Sequence, residues 1–165
     1  MDSILSLAVC AAGICGAQLA YWLPLKKRDR FRLRALLDLI IVIPLSRLMV
    51  FGNSGRLDTL LLLVIYAVYF TCAAVSTHLC TRLDWAASAY CSVWIVLTSE
   101  SVYELWRVLI WTAEALGMQH LSLYSTPMLL GQLGFTVVCC IVVRFTVART
   151  MPEDGTYHIG PRQLG

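Results

Sequence analysis

The chain has 165 residues, of which 59% are hydrophobic and only 14% are charged, and its mean hydropathy is +0.73. A soluble domain has about 45–50% apolar and about 25% charged residues, so this composition argues against a soluble enzyme or binding domain and is typical of an integral membrane protein. The formal net charge is +3, and its basic residues cluster between two apolar segments, which favours a membrane anchor over a nucleic-acid-binding surface.

The first apolar segment, residues 3–24, is predicted to cross the membrane as a helix. It is rich in Ala and Gly, which let helix backbones approach closely in lipid, so we expect one face to pack against a neighbour. Tyr21, Trp22 and Pro24 close the segment, where interfacial aromatic residues and a helix stop are expected. Asp2 stands where a signal peptide carries a basic residue, so we do not expect a cleavable signal peptide.

A strongly basic segment follows, and we interpret it as a cytoplasmic anchor because it cannot enter hydrocarbon. Its cations are Lys26, Lys27, Arg28, Arg30, Arg32 and Arg34. If this segment is inside, the cytoplasmic side also holds Arg82, Arg144, Arg149 and Arg162, whereas Arg56 and Arg107 lie outside and Arg47 lies near the outside. Ten basic residues against three predict that both the first loop and the C-terminus are cytoplasmic and that the N-terminus is outside.

Four further transmembrane helices are predicted after the anchor. They occupy residues 35–51, 58–80, 85–111 and 126–147, and they are joined by a turn cluster at 52–55, a tight reversal at 81–84 and a longer loop at 112–125. The fourth segment would be about 40 Å long, which exceeds a hydrocarbon core of about 30 Å, so it should tilt or rise above the membrane.

The predicted fold is therefore an all-α integral membrane protein, a bundle of about five transmembrane helices with its N-terminus out and its C-terminus in. Residues 1–147 form the helical membrane domain, and residues 148–165 form a polar cytoplasmic connector or tail. We expect a multi-pass protein of the plasma membrane, with the lipid bilayer as its main partner.

Charged residues inside the apolar segments are the sharpest functional signal, because each costs several kcal/mol at the bilayer centre unless it is paired or hydrated. Asp38 lies four residues after Arg34, so the two side chains share one face of the second helix. We expect them to form a local ion pair at the cytoplasmic interface.

The outer half of the fourth helix carries a denser group of charges. Glu100 and Glu104 are one turn apart, and two adjacent carboxylates repel each other unless a cation lies near or one is protonated. Arg107 supplies one cation, and Arg47, at a similar depth in the second helix, is a candidate partner for Glu100. Two interpretations remain open. The group either lines an outward-facing polar cup that binds a ligand or couples binding to helix movement, or it is a salt-bridge cluster that fixes packing.

The sequence contains no positive sign of catalysis, a cofactor or a metal site. Its seven cysteines lie in or at the end of apolar segments, where a reduced thiol is a small apolar side chain. His78 and Cys80 suggest a membrane cysteine peptidase, but residues two apart point about 200° away from each other on a helix. No phosphate-binding loop, zinc-peptidase motif or Ser/His/Asp arrangement is found.

Two segments nevertheless resemble a known family. Residues 22–34 combine an apolar helix ending in Pro, a basic cluster and a Phe-Arg pair, and in residues 80–100 Trp85 opens a helix with Cys91 six residues later. Together with the polar residues 151–164, they resemble the membrane sensor half of GHKL-class sensor histidine kinases, similar to the accessory-gene-regulator peptide-pheromone receptors of Gram-positive bacteria. The kinase domain of such proteins has no counterpart here, and no phosphoacceptor histidine can be assigned.

The resemblance implies a receptor, the signal-sensing region of a two-component histidine kinase. It implies a homodimer and an extracellular peptide or small-molecule signal, with catalysis in a parent kinase and not in this chain. The alternative is a small multi-pass transporter or a substrate-binding membrane subunit. In that case Asp38, Arg47, Glu100 and Glu104 would line a substrate path.

Overall fold

The computed structural model describes residues 2–52, 59–117 and 125–148, and these ranges form five α-helices and no strand. The helices are α1 (Asp2–Trp22), α2 (Phe31–Gly52), α3 (Thr59–Cys80), α4 (Trp85–Ala115) and α5 (Thr126–Phe145). The all-α prediction and the order of the five helices are therefore confirmed. The end of the bundle that carries residues 23–30 and 81–84 is called the basic end below, and the other is called the opposite end.

Most helix boundaries agree with the prediction to within two residues, with α1 ending at Trp22 and α5 at Phe145, each two residues early. Two boundaries differ by four residues. Helix α2 begins at Phe31 and not at residue 35, because the backbone N–H of Arg34 already donates to the carbonyl of Arg30 and closes a first turn outside the apolar segment. Helix α4 continues to Ala115 and not to residue 111, and Gly117 ends it in a left-handed conformation with φ of 89°. Most of the predicted turn at 52–55, half of the predicted loop at 112–125 and all but the first residue of the tail at 148–165 lie outside the described residues.

Three of the described helices are long and apolar enough to cross a membrane by length and composition, namely Ile4–Trp22, Thr59–Cys80 and Thr126–Phe145. Helices α2 and α4 are as long, at 22 and 31 residues, but they carry the charged side chains singled out above. Large apolar side chains also face outward from the bundle, among them Leu60, Leu63 and Phe145, each at least 67% exposed. An apolar surface of this kind is suited to a lipid environment.

Helix α1 is the centre of the bundle, since it contacts each of the other four helices. Its small residues allow the close approach that the sequence predicted. A Cβ atom added to Gly16 would lie 3.0 Å from the Sγ atom of Cys140 on α5, and one added to Gly13 would lie 4.0 Å from Thr136. Helices α1 and α5 therefore run parallel, and side chains of α5 pack close to the backbone of α1 at its glycines.

Hydrogen bonds between side chains hold α1 to the α3–α4 hairpin. The indole N–H of buried Trp22 donates to the hydroxyl of Thr77 over 3.0 Å, and the hydroxyls of Tyr21 and Thr98 are 2.9 Å apart. In an apolar bundle a buried polar atom without a partner is costly, so these bonds also fix how α1 is rotated.

At the basic end, the connection between α1 and α2 is tied to the reversal between α3 and α4. Lys27 and Thr81 form an isolated antiparallel bridge, and the backbone N–H of Arg82 donates to the carbonyl of Lys26 over 2.9 Å. The Arg28 side chain donates to the carbonyl of Thr81 over 2.8 Å. The basic segment predicted to be an anchor is thus an ordered part of the fold.

Candidate functional site

A cavity of about 80 Å³ lies among α1, α2, α4 and α5 in the half of the bundle away from the basic end. Apolar side chains such as Val9, Ile14 and Met49 form much of its wall. Its polar lining consists mainly of Ser99, Glu100, Arg107, Gln132 and Thr136. The volume is enough for a few water molecules or for one functional group of a ligand.

Glu100 is held in this lining by α3. The hydroxyl of Tyr66 donates to Glu100 Oε2 over 2.9 Å, and the neighbouring Ser99 hydroxyl lies 2.6 Å from that of Tyr69. Two consecutive residues of α4 are therefore bound by tyrosines one turn apart on α3. A carboxylate has room for about four hydrogen bonds, so Glu100 can accept further donors from a ligand while it keeps Tyr66.

Arg107 brings a positive charge to the same cavity. Its Nη1 atom lies 2.9 Å from Oε1 of Glu104, which forms the ion pair expected from the i,i+3 spacing. The guanidinium also lies 4.9 Å from the ring centroid of Trp111 and 5.9 Å from that of Tyr103, within the range of cation–π attraction. The group is thus oriented from three sides, and Glu104 acts as its partner beside the cavity.

Trp106, which also lines the cavity, was not anticipated from the sequence. Its indole N–H is buried and has no acceptor among the described residues. The ring fits because Gly131 has no side chain, since a Cβ atom there would lie 2.9 Å from the ring. A buried donor without an acceptor is destabilising, and it is a place where water or a ligand oxygen would be favourable. In the sequence, the only signals of this contact were the residue types, a Trp in the fourth apolar segment and a Gly in the fifth.

Arg47 is not brought to this group. It lies on the exposed side of α2, whereas Met49 and Val50 are the α2 residues that reach the cavity. The described partner of Glu100 is Tyr66 and not Arg47. Of the four residues expected at the cup, Glu100 and Arg107 line the cavity, Glu104 pairs with Arg107, and Arg47 lies apart from the lining.

The expected ion pair between Arg34 and Asp38 is replaced by other contacts. Asp38 is buried and accepts hydrogen bonds from the hydroxyl of Ser76 on α3 and from the side chain of Gln18 on α1. Arg34 donates instead to the carbonyl of Leu79 over 2.8 Å. The carbonyls of the last helical turn lack intrahelical partners, so they attract a nearby guanidinium, and Asp38 faces the helix interface instead.

His78 and Cys80 do not form a catalytic pair. The His78 ring stacks on Trp85 at 4.0 Å, and its two nitrogens contact the Arg28 guanidinium at 3.3 Å and the carbonyl of Leu83 at 3.0 Å. All seven cysteines are free thiols, and the described residues contain no group of three His, Cys, Asp or Glu side chains suited to a metal ion.

Comparison of the chain with protein-family models, with curated proteins and with solved structures gives no match. The resemblance to sensor histidine kinases therefore depends on the sequence segments quoted above. The structural evidence for a function is the cavity and the charged side chains around it.

Proposed function

We propose that the chain is the membrane-embedded, signal-sensing region of a receptor of the two-component histidine kinase type, and that the cavity lined by Glu100 and Arg107 is its ligand site. The observation that carries this proposal is the grouping of a carboxylate, a guanidinium and an indole N–H around one cavity of an apolar bundle, the indole N–H having no acceptor in the part of the chain that the structure describes. Ionisable groups in such surroundings are expensive, and by default they mark functional sites.

In this proposal all five helices cross the plasma membrane, with the N-terminus outside and the C-terminus inside. The basic end lies at the cytoplasmic surface, which agrees with the concentration of Lys and Arg there. The cavity then lies toward the outer surface, where an extracellular signal can reach it. The charges of α2 and α4 are compatible with such spans. Asp38 and Glu100 are hydrogen-bonded within the bundle and Arg107 is paired. Arg47 is exposed but lies five residues from the end of α2, where a long side chain can reach the membrane surface.

The ligand class follows from the lining. Glu100 can accept hydrogen bonds from an amine or amide, while Arg107 and the Trp106 N–H can bind a carboxylate or carbonyl oxygen. An extracellular peptide or a small molecule with both kinds of group matches this arrangement. Because the cavity touches four helices, a ligand that prefers one helix spacing would shift the arrangement at the cytoplasmic end, which is the requirement for signalling. The resemblance also implies a homodimer and the cytoplasmic kinase domain of a parent histidine kinase.

The receptor proposal can be tested by fusing the full chain to the dimerisation and ATP-binding domains of a GHKL-class histidine kinase. Autophosphorylation would be measured in membrane vesicles, with and without a pool of synthetic peptides. We expect Glu100→Ala and Trp106→Phe to change the basal phosphorylation and to remove any response to the peptides. Arg47→Gln, on the exposed side of α2, is the matched control and should leave both unchanged.

If all variants and the unmodified fusion give the same phosphorylation with and without peptides, the receptor proposal fails. The transporter alternative would then become the leading one, because a second opening at the basic end has Asp38 in its lining. It predicts flux of a labelled peptide or amino acid into proteoliposomes that contain the purified chain, with flux reduced by Asp38→Asn.

A further inference from the structure

A second, larger cleft of about 390 Å³ opens at the basic end between α2 and α3. Two guanidiniums, from Arg30 and Arg34, lie among its lining residues, and the rest of the wall is mostly apolar. The apolar residues of its wall are chiefly Leu33, Leu37, Ile41 and Leu79. Neither the receptor proposal nor the transporter alternative uses these arginines.

The order of these residues along α2 separates charge from apolar surface. Spacings of three and four residues place Arg34, Leu37 and Ile41 on one face of α2, and Arg30 lines the cleft from the position just before the helix. At about 1.5 Å per residue, Arg34 and Ile41 are roughly 10 Å apart along the helix axis. The cleft is therefore cationic at the end of the bundle and apolar toward its middle, which is the pattern of a site for an anionic head and an apolar tail.

The two arginines are held differently. Arg34 donates to the carbonyl of Leu79, so its guanidinium is fixed across the gap between α2 and α3. Arg30 is exposed and has φ of 59°, the one non-Gly residue with positive φ among those described. This left-handed conformation is unfavourable for a residue with a Cβ atom, and here it turns the chain into the first residue of α2. One cation is thus fixed in the wall, and the other stands at the mouth.

We propose that this cleft binds an anionic phospholipid of the surrounding bilayer, with the phosphate between Arg30 and Arg34 and an acyl chain along Leu33, Leu37 and Ile41. Charge complementarity at the mouth selects an anionic head, and basic pockets between helices at the cytoplasmic side are suited to such heads. The proposal requires only that the bundle lies in a bilayer with its basic end at the headgroups. It does not depend on a ligand in the other cavity.

Asp38 lines the inner part of the cleft and sets the depth of the head. Its carboxylate is bound by Ser76 and Gln18, and it lies four residues beyond Arg34, about one helical turn deeper. A phosphate is repelled from this depth and attracted to the mouth. The acyl chain can pass the level of Asp38 along the apolar side chains of α2.

The test is native mass spectrometry of the full chain in detergent, titrated with dioleoylphosphatidylglycerol or dioleoylphosphatidylcholine. The variants are Arg30→Asn, which suits the left-handed backbone, and Arg34→Gln. The matched control is Arg32→Gln, which removes the same charge from an exposed position that does not line the cleft. We expect the unmodified chain to prefer the anionic lipid, and each cleft variant to weaken its binding about fivefold, while the control changes it less than about twofold.

A second variant tests the tail without touching a charge. Leu37→Trp fills the apolar part of the cleft and should also weaken binding of phosphatidylglycerol. A cooperative thermal unfolding transition of each variant would show that it is folded. Equal loss of binding in Arg30→Asn and Arg32→Gln would overturn the proposal, as would equal binding of the two lipids by the unmodified chain. Inorganic phosphate at the same concentration should not compete, and displacement of the lipid by it would also overturn a lipid site.

Discussion

The hydroxyl of Tyr66 donates a 2.9 Å hydrogen bond to the carboxylate of Glu100, and this bond joins α3 to α4 beside the cavity. The sequence suggested that either a cation lies near Glu100 or one of the two neighbouring carboxyls is protonated, and the structure adds a neutral donor to Glu100. A hydrogen bond to the charged form stabilises a carboxylate without a second charge in the bundle. The stability of α4 against α3 should therefore depend on Tyr66.

The first prediction concerns this pair. Tyr66→Phe removes the donor and should lower the free energy of unfolding by about 1–3 kcal/mol, because the carboxylate of Glu100 then loses a hydrogen bond in a partly buried site. Removing both groups in Tyr66→Phe with Glu100→Met should cost less than the sum of the single changes. Thermal unfolding in one detergent would measure both.

The control for that cycle is Arg47→Leu. Because Arg47 is on the exposed side of α2, its effect should add to that of Glu100→Met without coupling. A stronger coupling of Glu100 to Arg47 than to Tyr66 would contradict the arrangement described here and would restore the ion pair expected from the sequence.

The second prediction uses two glycines on α5. A Cβ atom at Gly131 would lie 2.9 Å from the Trp106 ring, whereas at Gly134 nothing lies within 4 Å. Gly131→Ala should therefore destabilise the protein by about 1–3 kcal/mol through overpacking. Gly134→Ala should be neutral or stabilising by up to about 1 kcal/mol, because Ala is the better helix former. If both changes have the same sign and size in thermal unfolding, the packing of Trp106 on α5 is wrong.

The third prediction concerns the contact between α1 and α5. Gly16→Ala places a Cβ atom 3.0 Å from the Sγ atom of Cys140, so it should destabilise the bundle. Adding Cys140→Ala removes that sulfur and should restore part of the loss, although Cys140→Ala alone lowers stability by creating a small void. Circular dichroism melts of the three variants would show this. A double variant less stable than either single one would be evidence against the parallel packing of α1 on α5.

The fourth prediction concerns the buried carboxylate at the basic end. Ser76→Ala removes a donor from Asp38 and should cost about 1–3 kcal/mol, because a buried acceptor is left less satisfied. Ser46→Ala is the control, since the Ser46 hydroxyl is equally buried but donates to the carbonyl of Val42 in its own helix, and its contact on another helix is the weakly bonding thiol of Cys10. Its cost should be less than about 1 kcal/mol. Equal losses in denaturation would mean that Asp38 does not depend on Ser76.

The fifth prediction is the orientation in the membrane. A fluorescent protein fused after Gly165 should fluoresce, and alkaline phosphatase fused at the same position should be inactive, because basic residues favour a cytoplasmic location. Activity of the phosphatase fusion in place of fluorescence would contradict either the number of spans or their direction.

The sequence alone determined where the helices lie. Long apolar segments separated by turn-forming or basic residues predicted all five, and the starts of α4 at Trp85 and of α5 at Thr126 agree with the structure. These signals are local, because hydrophobicity over about 20 residues and the 3.6-residue period depend only on near neighbours in the chain. The pair of Glu104 and Arg107, three residues apart in one helix, was predicted for the same reason.

The contacts between helices were decided only by the tertiary structure. Asp38 is bound by Ser76, 38 residues away, and Glu100 by Tyr66, 34 residues away, whereas the sequence favoured Arg34 and Arg47 as partners. The helical period fixes the angle between two side chains of one helix, but not how that helix is rotated against its neighbours. That rotation follows from packing at positions such as Gly16 and Gly131, where small residues admit a side chain of another helix. Only when all the helices are packed together does each charge acquire its partner.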